Sequence, residues 1–167
     1  MKDYKIIIAD LDGTLIKTIS GETFPKGVWD MQLRFDVLDK IKEMSPSHVI
    51  IVSNQGGIEK GFINEYNFKA KAEYIARAIV EYCSCECYYI YCPSNDKSNP
   101  YRKPNTGMLE YLIEKYVGNI NYIKSISLMI GDASGKPNQF SDSDKKTAEN
   151  FGCDYMDVED FVNSNPK

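Results

Sequence analysis

The chain has a single histidine, His48, and no apolar stretch near its start long enough for a signal peptide or a membrane span. Met1-Lys2-Asp3-Tyr4-Lys5 carries charge and is followed by only four apolar residues, Ile6-Ile7-Ile8-Ala9, which predicts a soluble, cytoplasmic protein with no membrane partner. Positive charge is not in excess. The 20 basic and 24 acidic residues leave a net charge of −4, which argues against a broad electropositive face for duplex nucleic acid but leaves room for a small basic cleft around one phosphate. Internal repeats, low-complexity stretches and linkers are also missing, so the 167 residues are expected to form one unit, 1–167, with a full-sized core.

Cysteine is present but in the wrong pattern for a disulfide framework or a zinc site. Five is an odd number, and Cys83, Cys85, Cys87 and Cys92 crowd one segment while Cys153 stands apart. Structural zinc ligands are usually separated by at least two residues, and His48 precedes a different apolar run. These thiols are therefore expected to serve as small apolar side chains. Gly131-Asp132-Ala133-Ser134-Gly135-Lys136-Pro137 lacks both the glycine spacing and the hydroxyl after lysine that a nucleotide-binding loop requires, which predicts no ATP-dependent kinase activity.

What the sequence does contain begins at Asp10-Leu11-Asp12-Gly13-Thr14-Leu15, directly after Ile6–Ala9. Alternation along a strand aims Asp10 and Asp12 the same way and turns Leu11 into the core. Two carboxylates so close repel unless a cation lies between them, and magnesium, which favours oxygen ligands, suits that place. Gly13 permits a tight turn and close approach of a ligand. An EF-hand calcium loop would need a further acid or amide before its glycine.

Three more short apolar runs, Val49–Val52, Tyr88–Tyr91 and Ile126–Ile130, alternate with segments of helical spacing. Phe35, Leu38, Ile41 and Met44 form one apolar row, Phe68, Ala72, Ile75, Ala76 and Ile79 a second, and Met108, Leu109, Leu112, Ile113 and Tyr116 a third that Thr106 is placed to cap. The pattern predicts an α/β fold: a doubly wound, Rossmann-like parallel sheet with helices on both faces and ligands beyond the carboxyl ends of the strands. Ser53-Asn54-Gln55-Gly56-Gly57, Tyr101-Arg102-Lys103-Pro104 and Gly131-Asp132 all fall at that edge. Together they supply hydroxyl and amide donors, two cations and a third carboxylate.

In their order these four segments resemble the haloacid dehalogenase superfamily of aspartyl-phosphate phosphatases, and within it the polynucleotide 3′-phosphatases, the phosphatase part of polynucleotide kinase/3′-phosphatase. The narrower resemblance rests on Thr18-Ile19-Ser20-Gly21-Glu22-Thr23-Phe24-Pro25, on Trp29, on Ser53 through Ile58 with Gly61, on Tyr101 through Met108, and on Gly131 through Pro137 followed by Phe140-Ser141-Asp142-Ser143-Asp144 with Ala148, Asn150 and Gly152. Two positions depart from the family: Gln139 stands where an acid is frequent, and Lys136 replaces an arginine whose planar fork grips phosphate.

The resemblance implies a magnesium-dependent phosphatase that removes 3′-phosphates from nucleic-acid (DNA) ends. Asp10 would be the nucleophile, Asp12 the general acid and base, and Lys103 the cation on the phosphoryl oxygens. Asp10, Asp12 through its backbone carbonyl, Asp132 and Asp144 would form the metal site, with Asp144 supporting either the metal or Lys103. Thr14, Ser53, Asn54, Gln55 and Arg102 are expected to bind substrate, Ser53 and the Asn54 amide holding the phosphoryl group. No large cap domain fits the intervals between motifs, so an open cleft and a monomer are expected, with a separate kinase or ligase as a candidate partner.

Two alternatives stay open. A small-molecule phosphatase of the histidinol-phosphate or heptose-bisphosphate type shares the motifs, although such relatives usually carry a zinc loop before Arg-Lys-Pro and no cysteine lies between Cys92 and Arg102 here. A catalytically silent domain that binds phosphorylated ends or a partner protein is the other. Trp29, Phe24, Phe62 and Tyr101 could stack on bases, but core packing is the expected use of most of them.

Overall fold

Ile6, Ile7, Ile8 and Ala9 are all buried because the strand they form is covered on both faces, which is why it reads as a continuous apolar run. The computed structural model describes residues 2–165; the expected unit 1–167 thus includes Met1, Pro166 and Lys167, which lie outside the described residues. In chain order the elements are β1 (Ile6–Ala9), β2 (Ile16–Lys17), β3 (Gln32–Leu33), α1 (Phe35–Met44), β4 (His48–Asn54), α2 (Glu65–Cys83), β5 (Glu86–Cys92), α3 (Gly107–Tyr116), α4 (Ile120–Ser125), β6 (Ser127–Gly131), α5 (Ser143–Phe151), β7 (Asp154–Asp157) and α6 (Val158–Asn163).

Five strands form a parallel sheet in the order β5-β4-β1-β6-β7. Alternate residues face opposite sides. Ile7, Val49, Ile51, Leu128 and Ile130 pack with α1, α2 and α6, while Ile6, Ile8, Ile50, Val52 and Met129 pack with α3, α4 and α5. Each large aliphatic side chain so buried stabilises the fold by roughly 1.5–3 kcal/mol relative to exposure. This is the doubly wound α/β architecture expected from the sequence.

The row on α2 is buried as expected at Phe68, Ala72, Ile75, Ala76 and Ile79, and the Asn64 side chain caps the helix by accepting from the Asn67 amide. Three expectations are corrected. Phe35 is exposed beside Tyr82 (ring centroids 5.3 Å apart), and Val37 takes its place in the core. Tyr116 likewise stacks on Tyr88 at the surface. Thr106 occupies the N-cap position of α3 but makes no capping bond, because its hydroxyl turns to Glu110 at 3.1 Å.

β7 and the β2–β3 hairpin were not anticipated. The hairpin is the only regular structure in the connection from β1 to α1, and α2 fills the one from β4 to β5, so no cap domain is present among the described residues. Among them, too, no helix is long and apolar enough to cross a membrane.

Candidate active site

The carboxyl ends of β1, β4 and β6 deliver Asp10, Ser53 with Asn54, and Asp132 to one edge of the sheet, and the connection from β5 to α3 brings Lys103 across to them. The Lys103 ammonium is buried and lies 2.7 Å from Asp10 Oδ1 and 2.7 Å from Asp144 Oδ1. Asp144, in the first turn of α5, also accepts the Ala133 amide on Oδ2, so both its oxygens are engaged. Asn54 locks the lysine's backbone from both sides: Lys103 N donates to its Oδ1 at 2.9 Å, and its Nδ2 donates to the Lys103 carbonyl at 3.1 Å.

Asp132 completes the group. One oxygen each from Asp10, Asp132 and Asp144 lie within 4.8 Å of one another, and the buried Asp132 Oδ1 has no hydrogen-bond partner. When all are ionised, three carboxylates face one ammonium, an excess of two negative charges in a largely buried setting. Burial pushes Asp10 well above the ordinary carboxylate range, with Lys103 opposing the rise and Asp144 and Asp132 adding to it. Burial and the Asp144 charge push Asp132 up to about 6. Burial works against the charge on Lys103, but Asp10 and Asp144 outweigh it and hold its pKa above the usual lysine range. A divalent cation with oxygen preference fits this donor set, supplying the charge it lacks and a partner for the orphaned oxygen.

Asp12 belongs to the same edge but not to this cluster. Its Oδ2 accepts Gln55 Nε2 at 2.8 Å, and the same amide nitrogen donates to Ser53 Oγ at 2.7 Å. Gly13, with φ of +79°, turns the chain directly under Asp132; a Cβ there would lie 2.1 Å from Asp132 Oδ2. Gly13→Ala is therefore expected to displace the Asp132 carboxylate and to cost about 1–3 kcal/mol of stability, read as a lower melting temperature together with weaker binding of divalent cations in a titration. A second close contact stands at Gly131, whose added Cβ would meet Asp144 Oδ2 at 2.4 Å.

The remaining expected residues are placed unevenly. Ser53 and Gln55 are buried beside Asp12. Thr14 is fully buried with its hydroxyl unpaired, so the structure does not bring it to the surface of the site. Arg102 donates to the Ser94 carbonyl at 2.9 Å and anchors the loop that carries Lys103. Lys136 pairs with Asp160 at 2.7 Å and Asp157 at 3.5 Å. Gln139 accepts the Ser134 and Lys136 amides and donates to Asp157, a bridging role in which an acid would face another carboxylate.

A cleft of ≈ 170 Å³ opens between Asp12-Gly13 and the loop through Thr18, Glu22 and Pro25. Asp30 holds that loop by accepting the Ile19, Ser20 and Lys26 amides and the Ser20 hydroxyl, which hold its carboxyl down to about 2. Around the site the aromatic expectation is corrected: Phe24 and Phe62 are more than four-fifths exposed, and Trp29 and Tyr101 are also at the surface rather than in the core. The residue that sequence reasoning missed is Lys71 of α2, whose buried stem ends 3.8 Å from Asp12 Oδ1. Its signal was positional, since Phe68, Lys71, Ala72 and Ile75 share the i, i+3, i+4, i+7 stripe of the buried face.

The chain is similar to known proteins in both sequence and fold. The sequence profile of the family described as "Polynucleotide kinase 3 phosphatase" matches residues 5–162. The chain is 34% identical over 163 residues to the "Bifunctional polynucleotide phosphatase/kinase" of Schizosaccharomyces pombe, covering 96% of this chain but only 38% of that protein. It is 27% identical over 138 residues to a "Probable D-glycero-D-manno-heptose-1,7-bisphosphate 7-phosphatase" of Thermoplasma volcanium, covering 82% of this chain and 91% of that one. In fold it is similar to the D,D-heptose 1.7-bisphosphate phosphatase from B. bronchiseptica, solved with magnesium and phosphate, at a TM-score of 0.67 and 21% identity over 90% of this chain and 78% of that one.

Proposed function

Because this chain belongs to the polynucleotide kinase 3 phosphatase family, among the haloacid dehalogenase phosphatases, we propose that it removes 3′-phosphates from nucleic-acid ends with magnesium and through an aspartyl-phosphate intermediate. The observation that carries the chemistry is the buried cluster in which Lys103 Nζ sits 2.7 Å from both Asp10 and Asp144 while Asp132 keeps an unpaired oxygen. Asp10 attacks phosphorus, the bond from phosphorus to the sugar 3′ oxygen breaks, and Asp12 gives that oxygen its proton; Asp12 then takes a proton from the water that opens the acyl phosphate. Ser53 and the Asn54 amide hold the phosphoryl oxygens, and Lys103 balances their charge.

Asp10, Asp132 and the Asp12 carbonyl are the groups that would hold magnesium, with Asp144 assigned to Lys103 because both its oxygens are already engaged. The ion, when bound, neutralises the crowded oxygens and polarises the phosphoryl group. The nucleic-acid substrate draws support from the family match along nearly the whole chain and from the exposed rings of Phe24 and Phe62, which offer faces on which unpaired bases can stack. A small-molecule reading is favoured by one observation, the likeness to the heptose-bisphosphate phosphatases.

The deciding experiment measures phosphate release from a 3′-phosphorylated oligonucleotide, histidinol phosphate and heptose bisphosphate, each with magnesium and with chelator. Selective release from the oligonucleotide, lost on chelation and regained with magnesium, is expected. Preference for a small molecule would move the chain to the second reading. Binding of phosphorylated ends without release from any substrate would make it a silent binding domain.

A further inference from the structure

Lys71 is the one charged side chain of α2 that the fold buries: its side chain is 5% exposed, and its ammonium is paired with no acid but Asp12 among the described residues. At 3.8 Å that pairing is too long for a hydrogen bond. The stem is packed away while the ammonium at its end, which is not one of the buried unpaired atoms, emerges beside Asp12. The stem could cover apolar surface equally well as leucine or methionine, so packing alone does not account for the charge.

The geometry around Asp12 gives the charge a use. Gln55 Nε2 donates to Oδ2 at 2.8 Å and so occupies that oxygen, which leaves Oδ1 free to carry the proton for the departing oxygen. Lys71 stands beside Oδ1, where negative charge appears once the proton has left. We infer that Lys71 is a positioning residue for the general acid: while Gln55 fixes the Asp12 carboxyl, Lys71 places a positive charge next to the oxygen that releases the proton. This rests on the phosphatase reading above. In the step it serves, Asp10 bonds to phosphorus, the pair from the broken phosphorus–oxygen bond goes to the leaving oxygen, and the Asp12 proton follows, leaving a carboxylate between Gln55 and Lys71.

The test compares leaving groups. para-Nitrophenyl phosphate releases a phenolate that needs no proton, whereas a sugar 3′-phosphate releases an alkoxide that does. Because Asp12 also serves the later attack of water, which both substrates share, the first step is read alone in single-turnover experiments: Lys71→Met should slow release of the dephosphorylated oligonucleotide roughly ten-fold while changing the burst of nitrophenolate less than two-fold. Equal losses on both substrates would overturn the assignment by showing general damage to the site. A rise in KM for the oligonucleotide alone would also overturn it and make Lys71 a substrate contact. If K71M fails to fold, K71Q takes its place, and failure of both would assign Lys71 to the core and sink the proposal. Should the parent protein hydrolyse heptose bisphosphate and not the oligonucleotide, the nucleic-acid reading fails while Lys71 is judged on that alkyl phosphate by the same ratio. No turnover of any substrate overturns both.

Discussion

Asp10→Asn is expected to stop phosphate release, with kcat falling on the order of 10⁴-fold or more, because a carboxamide cannot form the acyl phosphate. The loss should be the same for good and poor leaving groups, which separates it from the selective effect expected at Lys71. The fold should survive. Burial already disfavours the charged form of Asp10, so its carboxylate pKa is raised in the folded protein; the group is destabilising above that pKa and neutral below its unfolded value. A neutral isostere removes that opposition at neutral pH, and Lys103 keeps Asp144 as a partner at 2.7 Å. D10N should therefore melt no lower than the parent while releasing no phosphate, and mass spectrometry of the parent quenched during turnover should find phosphate on Asp10. A variant that kept measurable turnover would remove Asp10 from the nucleophile's role.

The parts of this site that were legible in the sequence are those where a buried strand stops and chemistry begins. Ile6–Ala9 followed by Asp10-Leu11-Asp12-Gly13 needs no tertiary information, since a doubly covered strand must be apolar throughout and its carboxyl end is where the polar residues emerge. Ser53 and Asp132 follow the same rule. β7 escaped because Asp154-Tyr155-Met156-Asp157 is an edge strand in which only Asp157 is buried, and its two acids break the apolar run. Exposure of the aromatics was not legible either, since a ring's burial depends on what the loop around it packs against: Asp30 ties residues 18–26 into a turn that leaves Phe24 facing outward. Lys71 lay on the stripe that helical spacing assigns to the core, and a charge at such a position marks either a pairing or a function.

The same cluster that performs the chemistry also bears on stability, and Lys103→Met should reveal both at once. Lys103 is 4% exposed at its side chain and is the cation that two buried carboxylates share, at 2.7 Å each. Removing it leaves Asp10 and Asp144 facing each other without a counter-charge. Breaking a buried pair in this way typically costs about 3–5 kcal/mol, which for a chain of this size corresponds to a melting temperature lower by roughly 6–20 °C. The charge that Lys103 would bring to the phosphoryl oxygens is lost as well, so phosphate release should fall by about 10²–10³-fold or more in the molecules that remain folded. A divalent cation offers partial compensation, since the variant cluster holds three carboxylates and no ammonium. Magnesium should accordingly raise the melting temperature of K103M more than that of the parent, while activity stays low because the metal does not replace the lysine on the equatorial oxygens. Equal magnesium stabilisation of the two proteins would separate the lysine from the metal site; a variant as stable and as active as the parent would show that the Asp10–Lys103–Asp144 arrangement carries neither role.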